Sequence, residues 1–415
     1  MQALRAEIEA LRAEYEQRLS ALEQKLDALQ GEAPAAAAAP GTAPSEQEAA
    51  ANATGEAVPA AAPAAPAGEV PPAEPTAAGG APAQTSNYFN PSISLIGNFL
   101  GVAGHNAVEN LPSFDLRESE LGLQAVLDPY ARADVFIAFG SEGGNVEEGF
   151  VTFTSLPAGL LAKVGRIRAQ FGKTNPLHLH VLPWADEPLP IVNLLGSEEG
   201  WAGDGISVAE LIPLPGDTFS EATVQVFRGE REGLFTADKR SDLAYDLRYR
   251  VFRDLTEATN LDLGVSYAWG PTVDAPGRKS RLQGVDATLR WKPLQTASYR
   301  SFTLRGEAMR QQREQPGEDV AALGWFVSAD YQLAKRWFVG GRYDTSDHAD
   351  DDTLRDRGQA LVVTFWPSEF SQLRAELRRR RYAGLNDGFT RFETTANELL
   401  LQLQFAMGAH GAHPF

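Results

Sequence analysis

Between Asn90 and Phe405, apolar and polar residues alternate in runs, each closed by a turn, about sixteen times over. In 243–251, Leu243, Tyr245, Leu247, Tyr249 and Val251 fall on one face, with Asp246, Arg248 and Arg250 on the other. In 261–269, Leu261, Leu263, Val265, Tyr267 and Trp269 oppose Asp262, Gly264 and Ser266. The runs 323–333 and 399–405 repeat the pattern. Successive side chains of a strand point to opposite faces, so each run reads as a strand with one apolar and one polar side. A soluble sandwich has the same period with core and solvent exchanged. Length and turns separate the two.

Most runs span about 10–14 residues, the reach of a tilted strand across a bilayer, whereas soluble strands average about 5–6. Trp269, Trp291, Trp337, Tyr343 and Trp366 stand near run ends, where interfacial girdles need aromatic rings. Connections alternate in length. Gly140–Glu148, Phe171–Gly200, Gly229–Asp242, Gly270–Ser280, Arg310–Asp319, Asp344–Gly358 and Ala383–Thr390 are long. Asp128–Pro129, Leu156–Ala158, Pro213–Gly216, Arg253–Glu257, Lys292–Thr296, Ala334–Lys335 and Pro367–Ser368 are short. The expected fold class is therefore an all-β membrane protein. It is an antiparallel transmembrane β-barrel of about 16 strands over 87–415, in the outer membrane, with short turns and both termini in the periplasm.

The first 86 residues are different material. Leu4, Ile8, Leu11, Tyr15, Leu19, Leu22, Leu26 and Leu29 form a heptad ladder with one inserted step between Tyr15 and Leu19. This predicts an N-terminal α-helical coiled coil over 1–30, in the periplasm; an amphipathic helix lying on a protein surface is the alternative. So short a helix is marginal alone and gains stability from copies of itself. A homotrimer is the expected assembly. Residues 31–86 are rich in Ala and Pro and almost free of large apolar side chains, so they form a disordered linker without a core.

Composition narrows the function classes. The chain has no cysteine, which excludes disulfides and thiolate metal sites. No stretch approaches the roughly 20 apolar residues of a membrane helix. A net charge of −18 argues against nucleic acid as a partner. The chain starts directly on the heptads, so export is expected to need a signal peptide absent here, as in a mature or re-started form.

Alternation assigns Arg132, Asp134, Arg248, Arg250, Asp286, Arg290, Arg305, Glu307, Asp330, Arg342, Arg374, Glu376, Arg378 and Arg380 to the lumen wall. The run 372–380 is clearest, because Leu373, Ala375 and Leu377 oppose its arginines. Arginines lining a pore attract anions and hydrogen-bond oxyanions, so Arg290, Arg305, Arg342, Arg374, Arg378 and Arg380, with Glu376 among them, are the candidate selectivity residues. Interleaved carboxylates leave a second reading, a self-neutralising lattice that stiffens the wall. Segment 171–200 is too apolar for a solvated loop, and Pro176, Pro183, Pro188 and Pro190 disfavour ladder pairing. It is expected to fold inward as a constriction carrying His178, His180, Trp184, Asp186 and Glu187; packing on the rim or on a neighbouring subunit is the alternative.

The layout of short coiled coil, linker and sixteen strands with an inward loop resembles the phosphate-selective outer-membrane porins. GRIRAQFGKTNPLHLHVLPWADEPL (165–189), FWPSEFSQLRAEL (365–377) and FAMGAHGAHPF (405–415) resemble porin-like outer-membrane proteins of Gram-negative bacteria. The resemblance implies passive transport of small anionic solutes through a trimer in outer-membrane lipid.

Six histidines raise the question of metal. His178 and His180 share a face if extended, and His410 and His413 lie in the tail, but no third or fourth ligand is adjacent in sequence. Neither metal nor cofactor is expected. No nucleophile elbow or phosphate-binding glycine loop is present, so no enzyme activity is expected. Two other readings stay open. One is a structural protein tethering the membrane to peptidoglycan or other cell-envelope components through the coil. The other is a metal-linked specific channel.

Overall fold

A computed structural model describes residues 91–140, 143–197, 199–216, 218–231, 233–272, 277–317, 319–386 and 390–408. The expected coiled coil, the linker and the tail with His410 and His413 lie outside the described residues. Among the described residues the first eight strands are β1 Ser92–His105, β2 Phe114–Asp128, β3 Ala131–Gly140, β4 Gly143–Phe153, β5 Leu161–Arg168, β6 Ala202–Leu211, β7 Thr218–Arg228 and β8 Leu243–Thr256. The second eight are β9 Thr259–Pro271, β10 Lys279–Trp291, β11 Phe302–Arg313, β12 Val320–Ala334, β13 Trp337–Asp347, β14 Arg355–Ser368, β15 Ser371–Asn386 and β16 Thr390–Gly408. Each pairs antiparallel with its sequence neighbours, and β1 pairs with β16 to close a sixteen-stranded barrel. Closure leaves no unpaired edge.

The alternation sorts side chains as the sequence requires. Leu243, Leu247 and Tyr249 are exposed outside, while Asp246, Arg248 and Arg250 are buried inside. Leu361 and Leu377 are 66% and 59% exposed, as are many apolar neighbours around the wall. Such an exterior is stable against hydrocarbon rather than water. Aromatic pairs mark both rims. Tyr245 stacks on Trp269 at 5.0 Å near the long loops, and Trp337 on Phe365 at 4.5 Å near the short turns.

Two expected loops are strand instead. Gly140 pairs with Gly143, so most of Gly140–Glu148 belongs to β4. The polarity that looks like a solvated loop is the lumen face, since Glu147 and Glu148 point inward to a histidine of the segment after β5. Likewise β15 continues to Asn386, so most of Ala383–Thr390 is ladder.

The lumen holds an apolar core, unusual for a polar inner wall. Inward-facing Ala244, Ala268, Leu282, Met309 and Ala322 meet Phe171, Ile191, Leu194 and Leu195 of the segment between β5 and β6. Leu234 and Phe235, from the connection between β7 and β8, join the same cluster. Burying each large side chain contributes roughly 1.5–3 kcal/mol. That is the physical reason the segment turns inward. Among the described residues one α-helix, α1 (Leu189–Leu194), starts at prolines, which suit a first turn because their missing N–H has no intrahelical partner anyway.

Candidate functional site

The segment 169–201 is clamped at its ends. Buried Asn175 donates through Nδ2 to the Ala169 carbonyl at 2.7 Å and the Trp201 carbonyl at 3.0 Å. Its Oδ1 accepts the Trp201 N–H at 2.7 Å. Gly172, at φ 66°, passes so close to β11 that an added Cβ would meet Glu307 Oε1 at 1.7 Å. Any side chain would displace the Glu307 carboxylate and carry the strain of a positive φ, so glycine suits the position.

From the clamp the chain crosses the barrel. Gly172 N donates to Ser266 Oγ of β9 at 3.0 Å, and Lys173 pairs with Asp262 of the same strand. Five residues after Lys173, His178 Nδ1 lies 2.7 Å from Glu120 Oε2 of β2. Strands β2 and β9 sit on opposite sides of a ring of sixteen. The segment then follows the wall toward β13–β15.

There the arginines gather on one carboxylate. Asp186 accepts from Arg342 Nη2 at 2.5 Å, Arg378 Nη1 at 2.9 Å and Arg380 Nη2 at 2.7 Å. Burial alone would raise this carboxyl, but Arg342, Arg380 and Arg378 outweigh it and hold the group well below the ordinary carboxylate range. Glu109, from the β1–β2 connection, accepts from Arg378 at 2.8 Å, Arg380 at 2.5 Å and the Tyr382 hydroxyl at 2.8 Å. Arg374 Nη1 donates to the Trp184 carbonyl at 2.7 Å, and Glu376 Oε2 accepts the Ala185 N–H at 2.8 Å. The Arg342 guanidinium lies 4.9 Å from the Trp184 ring centroid. Next to Asp186, Glu187 behaves oppositely: burial pushes its carboxyl up to about 8, with Arg168, Arg117 and Arg342 countering only in part.

The candidate arginines thus divide. Arg342, Arg374, Arg378 and Arg380 face inward as alternation requires, but their side chains are buried against the segment. Arg290 and Arg305 stay half-buried on the turn-side wall, where Arg305 pairs with Asp330. Among the described residues Arg290 makes no ion pair. Lys173 joins this group near Arg290 and Arg250, and burial lowers its ammonium to about 8 despite Asp262.

A second polar cluster binds the near side of the crossing. His178 Nδ1 is 2.8 Å from Glu147 Oε2, and Nε2 is 2.8 Å from Glu148 Oε2. His180 Nδ1 lies 3.5 Å from Glu120 and 3.9 Å from Glu118. Burial and the Arg168 guanidinium oppose a proton on His178, yet its hydrogen bonds to Glu120, Glu147 and Glu148 raise it well above the ordinary histidine value. Sequence reasoning paired the two histidines but missed every carboxylate. Glu147 and Glu148 are consecutive and both reach inward because the ladder shifts between Phe136 and Ile137, a bulge that re-aims a side chain. The shift between Asn98 and Phe99 does the same for Arg117 and Glu118.

No family model matches the chain. An uncharacterized protein of Aquifex aeolicus (strain VF5) is 28% identical over 348 residues, covering 75% of this chain and 72% of that one. Among solved structures, an anion-selective porin from Comamonas acidovorans superposes with a TM-score of 0.53 at 13% identity, covering 77% of this chain and 100% of its own. OprB of Pseudomonas putida gives 0.53 at 11% identity, covering 77% and 94%. The outer membrane channel DcaP of Acinetobacter baumannii gives 0.51 at 11% identity, covering 77% and 96%. The fold is that of the outer-membrane porins.

Proposed function

We propose that the protein is an outer-membrane porin through which small hydrophilic solutes, anions by preference, diffuse down their gradients. The observation that carries this reading is the crossing segment 169–201, tied to β9, β2 and β15 inside a closed barrel with an apolar exterior. In this reading a segment held there narrows the lumen and sets the size of solute that passes. Arg342, Arg374, Arg378 and Arg380 act in this reading as anchors, since their charge is spent on Asp186, Glu109, Glu398 and backbone carbonyls. Anion preference then rests first on Arg290, with half-buried Arg305 and Lys173 beside it, although these two are paired with Asp330 and Asp262. The protein assembles as a homotrimer through its N-terminal heptads, consistent with a coil too short to be stable alone. Reversal potentials across a planar bilayer in a salt gradient test the reading: an anion-selective sign supports it, and a cation-selective sign rejects the charge assignment.

A further inference from the structure

The cluster on the near side of the crossing has the chemistry of a metal centre. One donor atom from each of Glu120, His178 and His180 lies within 4.8 Å of the others; Glu120 and His180 are buried, and the His178 side chain is 11% exposed. Oxygens of Glu118, Glu120 and Glu147 form an overlapping group at the same spacing. Donor atoms around a tetrahedral zinc are about 3.3 Å apart for bonds of about 2.0–2.1 Å. The contacts of 2.7 Å and 3.5 Å from Glu120 Oε2 to the two imidazoles bracket that separation.

Glu118 supplies an independent sign. The residue is 5% exposed, and neither of its carboxylate oxygens has a hydrogen-bond partner. A buried carboxylate without hydrogen bonds is costly. Its Oε1 lies 3.9 Å from His180 Nδ1, aimed into the cluster. Four carboxylates, Glu118, Glu120, Glu147 and Glu148, converge here; Arg168 lies 3.4 Å from Glu147, and the His178 ring lies within 2.8 Å of Glu120, Glu147 and Glu148. A divalent cation taking the place of the proton at His178 Nδ1 would offset more of this negative charge than that proton does.

We propose that His178, His180, Glu120 and Glu118 bind one divalent cation of the zinc class and thereby stitch the first half of the crossing segment to β2. Two imidazoles with carboxylates select zinc, cobalt or nickel over calcium and magnesium, which prefer all-oxygen shells. His178 would ligate through Nδ1 while Nε2 keeps Glu148 at 2.8 Å, the carboxylate–histidine–metal arrangement that orients a ligating ring. The ligands come from one strand and one inward segment, so occupancy would hold the narrowing in place. Binding itself does not depend on the transport reading.

The test is titration of the full chain in detergent micelles with ZnCl2 by calorimetry, and with CoCl2 by visible absorbance. The expected result is one saturable zinc per chain, retained in a His410→Ala/His413→Ala variant and weakened about 100-fold in His180→Ala. Glu118→Gln is nearly isosteric and breaks no hydrogen bond; it should weaken zinc by at least about 10-fold. If His180→Ala loses the heat-modifiable gel mobility of a folded barrel, the Glu118→Gln result decides. Absent one-to-one binding by the wild type, unaltered affinity in folded Glu118→Gln, or loss of binding with the tail histidines would each overturn the proposal.

Discussion

The Asp186 carboxylate and the Arg378 guanidinium, 192 positions apart, meet at 2.9 Å inside the barrel. The same carboxylate also takes Arg342 and Arg380. One side chain therefore pins the segment to β13 and β15 together. Its depressed pKa means that this stabilisation is present above the ordinary carboxylate range and is lost only as pH falls well below it. Docking should persist at pH 5.

Asp186→Asn should weaken docking by about 3–5 kcal/mol, because three buried guanidinium groups lose their shared counter-charge. Neighbouring Glu187→Gln should change docking by less than about 1 kcal/mol, since a carboxyl raised to about 8 is already protonated at neutral pH and an amide replaces it closely. Limited proteolysis of the segment in folded barrels checks the contrast. Equal sensitivity in both variants would remove Asp186 from its anchoring role.

Lys173 makes selectivity depend on pH. Its folded pKa, about 8, is lowered from the ordinary lysine value, so the folded chain releases this proton first. Between those values the unfolded chain binds more protons, and stability rises with pH through that window. The lumen meanwhile loses one positive charge per barrel. Reversal potentials at pH 7 and pH 9 should show anion preference falling, and Lys173→Arg should abolish the step because arginine stays charged. A step that survives in Lys173→Arg would belong to another group.

The two classes of arginine should separate in conductance records. Arg290→Gln with Arg305→Gln should move the reversal potential toward cation preference at unchanged conductance. Arg378→Gln should instead raise open-channel noise, as the segment loosens from Glu109, Glu398 and Asp186. Identical behaviour of the two would make the division of labour wrong.

Much of this was legible in the sequence, for a simple reason. A side chain's face is fixed by parity, so alternation in 243–251 and 372–380 gave both the barrel and the inward arginines. The inward turn of 171–200 was legible in Trp184, Ile191 and Leu194, which water would not tolerate. The partners were not. Whether Arg378 meets solvent or Asp186 depends on a contact across 192 positions, which no local pattern encodes. Glu118 and Glu147 were hidden by register shifts that break parity at one residue. Leu234 and Phe235 carried a weak signal, two apolar neighbours within a polar connection.

Deleting 1–30 should reduce a trimer to monomers while leaving the barrel folded, because β1 begins only at Ser92. Light scattering in detergent checks this; a truncated protein that remains trimeric would place the contact on the barrel wall.

Single-channel conductance in a planar bilayer, with and without residues 180–195, tests the central claim most directly. A segment that narrows the lumen sets the smallest radius, so the deletion should raise conductance several-fold over the wild-type step. An unchanged step would place the narrowest point elsewhere, and a wild-type protein with no conductance would contradict the diffusion channel itself.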